Sequence, residues 1–296
     1  MHTADPEPET QPAAARVGWI AIAPVKSMAL QFLDRAIVTA EGIVGDRCFA
    51  LIDETGRLVN GKRAGSLATI RVRHDPMERT LELTLPSGET VVGVVELEPP
   101  IDAVFFGHPR PARPVRGPWS EALSAWSGHA LRLVAMPPGR GPDRGATTTL
   151  VSTAALNALA AAGGDDRPLD RRRFRMSFGI DGVPAYAEDG WIGREVGIGE
   201  AVVRVAGNVG RCAVTTHDPD TGRPSWDTLH ALQHSRGHLP TTEPLPFGVW
   251  AEVVRAGAVT LGDPVDLREE AELAGGRNEI LRRSIDEGVV KSGQIG

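Results

Sequence analysis

Short apolar or alternating runs recur along the first part of the chain, with turn-forming residues between them. Residues 17–23 read VGWIAIA, and the runs RAIVTA, CFALID and ATIRVR follow. Residues 81–97, LELTLPSGETVVGVVEL, place a Pro-Ser-Gly turn between two further runs. Runs of this kind are typical of β-strands joined by turns. The pattern therefore predicts that β-structure dominates the first part of the chain.

Helical spacing interrupts the strand pattern at three places. Trp119, Leu123 and Trp126 recur at the spacing of one helical face. STAALNALAAAGG, which begins at residue 152, predicts a second helix, and a third is predicted near residues 226–236. Strand-like runs return around the last two helices: EVGIGEAVVRVAG, CAVTTHD, FGVWAEVVRAG and AVTLGDPVDL. The second part of the chain is therefore also predicted to be mainly β-structure, with helices at its periphery.

Composition divides the chain into two predicted domains. Residues 136–147 hold three prolines and three glycines and are expected to form a linker or loop. They separate a domain at residues 16–135 from another at residues 148–268. Residues 1–15 are poor in large apolar side chains and predict a disordered tail. Residues 269–296 are highly charged and predict a second, peripheral tail.

Overall composition and charge narrow the classes of function. The chain has 296 residues, 41% of them apolar, a formal net charge of −6 and a pI near 5.8. We expect a globular protein without a nucleic-acid partner, because nucleic-acid-binding proteins usually carry a concentrated basic surface. No segment approaches about 20 continuous apolar residues, and the N-terminus lacks the features of a signal peptide. A soluble, cytoplasmic protein with no membrane contact is expected, and the excess of arginine over lysine favours a bacterial source.

Only two cysteines, Cys48 and Cys212, are present. Two thiols cannot build a disulfide framework, a four-cysteine zinc site or an ordinary iron–sulfur cluster, so any thiol chemistry depends on one residue. Cys212 follows Arg211, whose charge is expected to lower the thiol pKa, and the flexible GNVG segment before it lets backbone approach a bound group. These features favour a metal ligand, with a buried structural thiol as the alternative. Cys48 follows Arg47 within a predicted strand and is expected to pack in the core.

Two long segments carry a family resemblance. PVKSMALQFLDRAIVTAEGIVGDRCFALIDETGRLVNGKR resembles the N-terminal β-barrel domain that precedes MOSC domains, the C-terminal domains of molybdenum-cofactor sulfurases. DRRRFRMSFGIDGVPAYAEDGWIGREVGIGEAVVRVAGNVGRCAVTTHDPDTG, followed by PFGVWAEVVRAGAVTLGDPV, resembles the MOSC domain itself. The resemblance runs from about residue 17 to residue 268. It implies an α+β, β-dominated fold in which an N-terminal β-barrel domain packs on a MOSC-type β-barrel domain with peripheral helices.

Within that family the chain is similar to the amidoxime-reducing enzymes, which carry both domains and use the molybdenum cofactor. This cofactor needs cationic and N–H donors for its terminal phosphate and one soft ligand for its metal. The resemblance assigns the metal ligand, and with it the catalytic role, to Cys212, beside the cofactor contact Arg211. It assigns phosphate contacts to Lys26, Ser27 and Arg47. Lys26 is one of only three lysines, and it lies between apolar strands where an anion would offset its charge.

Three further cofactor contacts are implied in the second predicted domain. Arg175 matches the arginine of the family's Phe-Arg motif and is expected to reach the cofactor. Ser177 stands where asparagine is usual, and Met176 where proline is usual, so residue 177 offers a shorter donor. Thr148 matches a phosphate-contacting loop in position, although not residue by residue. A surface salt bridge is the alternative role for each basic residue taken singly, whereas together they predict one cleft shared by two domains.

The function implied by the resemblance is reduction of N-hydroxylated or N-oxide compounds. A small-molecule substrate is expected, together with a separate electron donor, a ferredoxin or a flavin reductase, since two cysteines cannot hold a ferredoxin-type cluster. Two alternatives stay open. One is a sulfur transferase or carbon–sulfur bond-cleaving enzyme that works through a persulfide of Cys212, and the other is a non-catalytic carrier of the cofactor. The family is also associated with pyridoxal phosphate binding.

The histidines give two weaker signals. His230, His234 and His238 have helical spacing, but without a third evident ligand a solvated face is favoured over a metal site. His217 could move protons near Cys212, although five positions along a strand place two side chains on opposite faces unless a bulge intervenes. Neither signal is taken to predict a catalytic residue.

Overall fold

The computed structural model describes residues 14–137 and 147–268. The predicted tails at residues 1–15 and 269–296 lie almost entirely outside these ranges, as does most of the predicted linker. Strands make up most of the regular structure, as the sequence pattern predicts. No helix within the described ranges is long and apolar enough to cross a membrane.

Strands are short and numerous within the described ranges. In the first half they are β1 (Arg16–Ile22), β2 (Gln31–Leu33), β3 (Arg35–Thr39), β4 (Gly42–Ile43), β5 (Phe49–Asp53), β6 (Leu58–Val59), β7 (Arg71–Asp75), β8 (Thr80–Thr84), β9 (Thr90–Val94), β10 (Glu96–Leu97), β11 (Ile101–Phe105), β12 (His108–Arg116) and β13 (Leu131–Ala135). In the second half they are β14 (Thr147–Ser152), β15 (Phe178–Asp181), β16 (Glu195–Ile198), β17 (Ala201–Gly210), β18 (Pro246–Arg255), β19 (Gly257–Thr260) and β20 (Val265–Leu267).

Helices are few and confirm the three predicted from sequence. They are α1 (Trp119–Ser127), α2 (Ala154–Ala162) and α3 (Thr228–Arg236). Short 3₁₀ helices lie at Gly65–Thr69, Arg171–Phe174, Ala187–Trp191 and Ala213–Thr216. On α1, Trp119 and Leu123 are buried on one face, as their spacing predicts, and the Trp119 indole N–H donates to the Leu81 carbonyl oxygen at 3.1 Å.

Eight strands form the largest sheet, in the order β2-β1-β15-β14-β18-β17-β16-β20. β1 pairs antiparallel with β15, so that Ile20 lies opposite Phe178. β3 likewise pairs with β19. The sheets therefore combine strands from both predicted domains. The first strand of the chain lies inside a sheet that the second half mostly builds.

Both faces of β1 are covered, which explains why VGWIAIA is continuously apolar. Ile20 and Ile22 belong to one hydrophobic cluster, whereas Trp19 and Ala21 belong to another. Side chains of α2 and α3 complete the second cluster. A strand buried on both faces has no position that favours a polar side chain. The strand's sequence thus follows from its place in the sheet.

Hydrogen bonds join β1 to the segment that contains β20. The Val17 N–H donates to the Asp263 carbonyl oxygen at 2.9 Å, and the Val265 N–H donates to the Ala15 carbonyl oxygen at 3.0 Å. β1 and β20 form no continuous ladder, so this sheet does not close into a barrel. The α+β, β-dominated fold class is confirmed, while no sheet in the described part of the chain is closed into a barrel.

The remaining strands form smaller sheets that complete the N-terminal part. One has the order β10-β12-β13-β5-β6, with β11 beside β12, and two three-stranded sheets have the orders β7-β8-β9 and β19-β3-β4. Loops next to β5 and the end of β17 lie side by side. These loops carry most of the residues that the sequence predicts for the site.

Candidate functional site

A cavity of about 470 Å³ opens where loops of the N-terminal part meet the residues after β17. We call it the cysteine cavity. Its lining includes six of the eight residues that the sequence predicts for the site: Lys26, Ser27, Arg47, Arg175, Arg211 and Cys212. These residues come from segments far apart in sequence. Folding therefore brings them together, as the resemblance implies.

Positive charge dominates the lining of the cysteine cavity. The described lining residues include six cationic side chains and no carboxylate. The cations are Lys26, Arg47, Lys62, Arg173, Arg175 and Arg211. The whole chain has a net charge of −6, so the charge of this lining is opposite in sign to the net charge of the chain. A concave, cationic lining concentrates anions, which makes an anionic ligand the favoured occupant.

Cys212 is held in an extended conformation at the edge of this cavity. β17 ends at Gly210 after irregular pairing with β18, and Cys212, with φ −136° and ψ 177°, precedes the 3₁₀ helix Ala213–Thr216. The Cys212 carbonyl oxygen accepts two hydrogen bonds from Thr215, from its N–H and its Oγ1, both at 3.0 Å. The backbone of the cysteine is thus fixed, and its half-buried side chain lines the cavity.

Arg211 supports the loop that carries Cys212. Its guanidinium donates to the carbonyl oxygens of Phe174, at 2.8 Å, and Phe247, at 3.0 Å from Nε, and to the sulfur of Met176 at 2.7 Å. Burial lowers the pKa of Arg211 to about 9, the Cys212 thiol offsets part of that change, and Arg47 adds to it. The donors of Arg211 are therefore directed to protein acceptors, so its main effects are on loop position and local charge.

Lys26, Ser27 and Arg47 lie on two loops that are hydrogen-bonded to each other. The Lys26 N–H donates to the Phe49 carbonyl oxygen at 2.8 Å, and the Arg47 N–H donates to the Ala23 carbonyl oxygen at 2.9 Å. Ser27 Oγ accepts from a backbone N–H of a third loop, that of Gly61, at 2.9 Å. These bonds hold the backbones of the loops that carry the cationic side chains.

Unfavourable backbone conformations concentrate at this cavity. Seven non-glycine residues of the described chain have positive φ. Four of them line the cavity: Ser27 (φ 73°), Arg47 (φ 50°), Phe106 (φ 52°) and Arg175 (φ 55°). A left-handed backbone at a non-glycine residue costs about 1–3 kcal/mol and persists where the surrounding structure enforces it. Such clusters mark functional sites, and this one coincides with the predicted site.

Thr148 and Ser177, which the resemblance also implies as cofactor contacts, are not among the described residues that line the cavity. Thr148 is buried, and its hydroxyl lies 3.5 Å from the Ala251 carbonyl oxygen. Thr149 lines the cavity instead, because neighbouring residues of β14 point to opposite faces. Ser177 is buried beside it: the Ser177 N–H donates to Thr149 Oγ1 at 2.8 Å, and that hydroxyl lies 3.2 Å from Ser177 Oγ. Ser177 therefore positions Thr149.

Sequence reasoning missed several lining residues. They include Asn60, Lys62, Phe106, Thr149 and Arg173. Lys62 carried a usable signal, since it is one of only three lysines and lies in the NGKR sequence of the family-like segment. Phe106 carried none, because its position depends on a turn between β11 and β12 that places its ring 5.3 Å from the Lys26 ammonium.

The other cysteine has a different environment. Cys48 packs against the apolar core of the N-terminal part and is not among the described residues that line the cysteine cavity. Burial and the nearby Asp46 carboxylate raise the pKa of the Cys48 thiol to about 11. A thiol of this kind stays protonated at neutral pH. Its role is packing, as predicted.

The structure shows where the histidines singled out from the sequence lie. His230 and His234 lie on α3, which ends at Arg236, and no described group of three or more potential ligands could hold a metal. His217 follows the 3₁₀ helix Ala213–Thr216, so strand alternation does not govern its direction relative to Cys212. It lines a second cavity next to the cysteine cavity.

Comparison with known families decides the membership of the chain. The family model described as MOSC domain matches residues 141–266, and the model described as MOSC N-terminal beta barrel domain matches residues 14–104. The chain belongs to the MOSC family. The two matches follow each other along the chain and together cover most of it.

Curated relatives with similar sequences include amidoxime reducing components of mammals. The mitochondrial amidoxime reducing component 2 of Homo sapiens is 33% identical over 107 residues, which is 34% of this chain and 31% of that protein. The mitochondrial amidoxime-reducing component 1 of Mus musculus is 33% identical over 108 residues, with the same shares of the two chains. The similarity thus spans about a third of the length of these relatives.

Solved structures add little to this MOSC assignment. The crystal structure of the YUAD protein from Bacillus subtilis has a TM-score of 0.39 and 14% identity, over 85% of this chain and 94% of that one. Similarity at that level carries no conclusion about function.

The residues of the cysteine cavity fit the molybdenum cofactor, with which the MOSC family is associated. The fit rests on the donor set: a single thiol lines a cavity with six cationic side chains and no carboxylate among its described residues. A thiolate is a soft ligand for a transition metal, and guanidinium and ammonium groups bind phosphate. The chain thus presents a thiol and a cationic lining in one place.

Proposed function

We propose that the protein is a molybdenum-cofactor-dependent oxidoreductase that reduces N-hydroxylated or N-oxide compounds, with Cys212 as the metal ligand. One observation carries the proposal: the thiol of Cys212 lines a cavity whose described charged residues are all cationic. The names of the mammalian relatives, amidoxime reducing components, support the choice of substrate class. The proposal assigns the phosphate contacts to Lys26, Ser27, Arg47 and Arg175.

Each residue has a defined task in this proposal. Cys212 supplies a thiolate from a backbone that is held by two Thr215 hydrogen bonds to the Cys212 carbonyl oxygen. Lys26, Arg47 and Arg175 hold the anionic end, and the backbones of Arg47 and Arg175 have strained left-handed conformations in the absence of a ligand. When bound, the cofactor supplies the two-electron oxygen-atom chemistry that no protein side chain provides. The protein positions the cofactor, supplies the positive charge that binds its anionic end, and leaves the cavity open to the substrate.

The overall reaction consumes electrons and protons. For an amidoxime, the balance is R–C(NH₂)=NOH + 2e⁻ + 2H⁺ → R–C(NH₂)=NH + H₂O, in which the N–O bond breaks and the oxygen leaves as water. Both electrons must come from a separate donor, because two free cysteines cannot hold an iron–sulfur cluster. We propose a ferredoxin or a flavin reductase as this partner, with the cytoplasm as the site of the reaction.

The test uses the full chain from a host supplied with molybdate. Molybdenum content per chain is measured, together with the reduction of benzamidoxime by a chemically reduced viologen. We expect bound molybdenum and turnover in the native chain. Turnover should fall at least a hundredfold in Cys212→Ser and stay within twofold in Cys48→Ser, whose residue lies outside the described lining of the cavity.

The same samples separate the rival functions. A protein that binds the cofactor but reduces neither hydroxylamines nor N-oxides would be a carrier. A chain without molybdenum that gains the mass of one sulfur atom on Cys212 would support persulfide chemistry and sulfur transfer. Either result would contradict the proposed reductase.

A further inference from the structure

A second cavity, of about 540 Å³, adjoins the cysteine cavity. The two share part of their walls, through Ser27, Gly61, Arg173, Arg175 and Val214. We call the second one the arginine cavity, because its lining also includes Arg71 and Arg172. A molecule held there can extend along the shared wall toward the residues next to Cys212.

Part of the lining of the arginine cavity is apolar. Its lining includes Leu30, Phe32, Ala68, Leu85 and Pro86. Phe32 leaves 39% of its surface exposed, which is unusual for a large aromatic side chain in a cavity. The Arg171 guanidinium lies 4.5 Å from the centre of the Phe32 ring and holds the ring in place. A fixed, exposed aromatic ring favours a flat apolar ligand that stacks on it or meets its edge.

The lining of this cavity also carries an excess of positive charge. Its four arginines face one carboxylate, that of Asp220, among the described lining residues. The Asp220 carboxylate is paired with Arg172, from which it accepts two hydrogen bonds of 2.7 and 2.8 Å. The Arg173 guanidinium is also engaged within the protein, since it donates to the carbonyl oxygens of Thr216 and His217 at 3.1 and 2.7 Å.

Arg71 differs from these arginines. It lies on β7 with an exposed side chain and makes no side-chain hydrogen bond or ion pair with any residue of the described chain. Its guanidinium keeps all its donors for a ligand in the cavity. A guanidinium binds a carboxylate through two parallel N–H donors, so this position is suited to a planar acid.

We propose that the arginine cavity binds the body of the substrate, and that it selects an aromatic compound bearing a carboxylate. Phe32 contacts the ring and Arg71 pairs with the carboxylate. The reducible N-hydroxyl group then lies along the shared wall, toward Cys212. This inference rests on the proposed function for its chemical step, but the binding of an aromatic carboxylate does not depend on turnover.

The apolar wall distinguishes this ligand from a bare anion. Inorganic phosphate would pair with Arg71 but would leave Phe32 and the aliphatic wall exposed to water. A neutral aromatic compound would cover the wall but leave the charge of Arg71 without a partner. Only a ligand with both features uses the whole lining.

Binding is tested first, on the full chain, by titration calorimetry with benzoate, benzyl alcohol and inorganic phosphate. We expect benzoate to bind more tightly than benzyl alcohol, and phosphate, which the cysteine cavity also attracts, to bind equally to the native chain and Arg71→Ala. Arg71→Ala should weaken benzoate about tenfold, the size expected for a charge-assisted hydrogen bond, and leave benzyl alcohol unchanged. Arg73→Ala is the matched control: it removes an arginine from the same face of β7 that is not among the described cavity residues.

Two further measurements keep the binding test decisive. Phe32→Leu should weaken benzoate and benzyl alcohol alike, because both use the ring. The affinity for benzoate should fall as salt rises from low to physiological concentration, since an exposed ion pair is screened. Equal binding of benzoate to the native chain and Arg71→Ala overturns the proposal, as does a loss of phosphate affinity in Arg71→Ala as large as the loss of benzoate affinity.

Turnover is compared for benzamidoxime and its 4-carboxy derivative. Arg71→Ala should raise the KM for the carboxylated compound about tenfold with little change in kcat, and should not alter the KM for benzamidoxime. No turnover of either compound by the molybdenum-loaded native chain would refute the proposed function alone. Turnover without any preference for the carboxylate, or a preference that survives in Arg71→Ala, would refute the substrate class alone.

Discussion

The Arg47 guanidinium lies 3.5 Å from the backbone carbonyl oxygen of Arg175, to which it donates a hydrogen bond. Both residues have left-handed backbone conformations, with φ of 50° and 55°. Both line the cysteine cavity, one from each part of the chain. Their contact joins two walls of the site directly. The cationic lining is thus arranged before a ligand arrives, which reduces the ordering that binding requires.

Replacement of Arg47 tests this cationic wall. Arg47→Ala removes one charge from the cavity and also the ion pair with Asp46. We expect the affinity for the cofactor to fall about tenfold, the size of a lost charge-assisted hydrogen bond. Molybdenum and pterin content of purified protein give the measurement, with Arg73→Ala as the control. Full cofactor content in Arg47→Ala would show that this arginine does not bind the phosphate.

Arg211 should matter for stability more than its partial exposure suggests. Arg211→Lys keeps a positive charge but leaves the buried carbonyl oxygens of Phe174 and Phe247 without their planar donor. The free energy of unfolding should fall by about 1–3 kcal/mol, the cost of unsatisfied buried acceptors. Urea denaturation at pH 7 measures it. A change below about 0.5 kcal/mol, which is typical of surface positions, would contradict the supporting role.

Cys48 should react slowly with alkylating reagents. Its pKa is raised from 9.0 to about 11, so at pH 8 the reactive thiolate fraction is about a hundredfold below that of an unperturbed thiol. The labelling rate should keep rising as the pH increases toward 11. Peptide mass spectrometry after timed exposure to iodoacetamide gives the rate, and the urea-unfolded chain is the control. Equal rates in folded and unfolded protein at pH 8 would be inconsistent with this environment.

Glu188 introduces a pH dependence of stability. Its side chain is buried, and neither carboxyl oxygen has a partner with hydrogen-bond geometry among the described residues. Burial raises the pKa of Glu188 and nearby Asp189 adds to the rise, while the Ser152 hydroxyl offsets part of it. The folded state therefore keeps a proton that the unfolded chain loses. The contribution of Glu188 to stability is therefore fully present below its ordinary pKa of 4.5 and is lost as pH rises through the folded pKa.

Glu188→Gln removes this titration while it keeps the size of the side chain. Urea denaturation should show that the variant gains stability over the native chain at pH 8, and gains less at pH 5. The control variant is Glu78→Gln, at an exposed glutamate. The neighbouring Asp189 is not used as a control because it pairs with Arg236. A stability difference between native and Glu188→Gln chains that is the same at both pH values would exclude this role of burial.

Much of the site could be predicted because family resemblance locates residues that local pattern cannot. Lys26, Arg47 and Cys212 are far apart in sequence, yet all three line one cavity. Their chemistry alone, a lysine between apolar strands and a cysteine after an arginine, did not establish that they meet. The segment matches supplied that information.

Local detail could not be predicted where a single residue decides the direction of a side chain. Thr148 and Thr149 are adjacent on β14, and one faces the core while the other faces the cavity. A match in position to the family's phosphate-contacting loop does not determine which of the two side chains faces the cavity. His217 gives a second case, since a 3₁₀ helix replaces the strand on which its expected direction depended.

The pairing of distant strands was also out of reach of the sequence. The pattern at residues 17–23 predicts a strand, but the partner of that strand, β15, lies in the other predicted domain. Local periodicity reports burial and not the identity of the neighbour. The continuous apolar run did contain a hint, because burial on both faces requires an interior place in a sheet.

The most direct test of the central claim is X-ray absorption at the molybdenum edge of the loaded protein, which counts the sulfur atoms bound to the metal. Native protein and Cys48→Ser should give the same sulfur count. Cys212→Ser should give one sulfur neighbour fewer, because the ligand from the protein is lost while the cofactor's own sulfur atoms remain. An unchanged sulfur count in Cys212→Ser would contradict the assignment of Cys212 as the metal ligand.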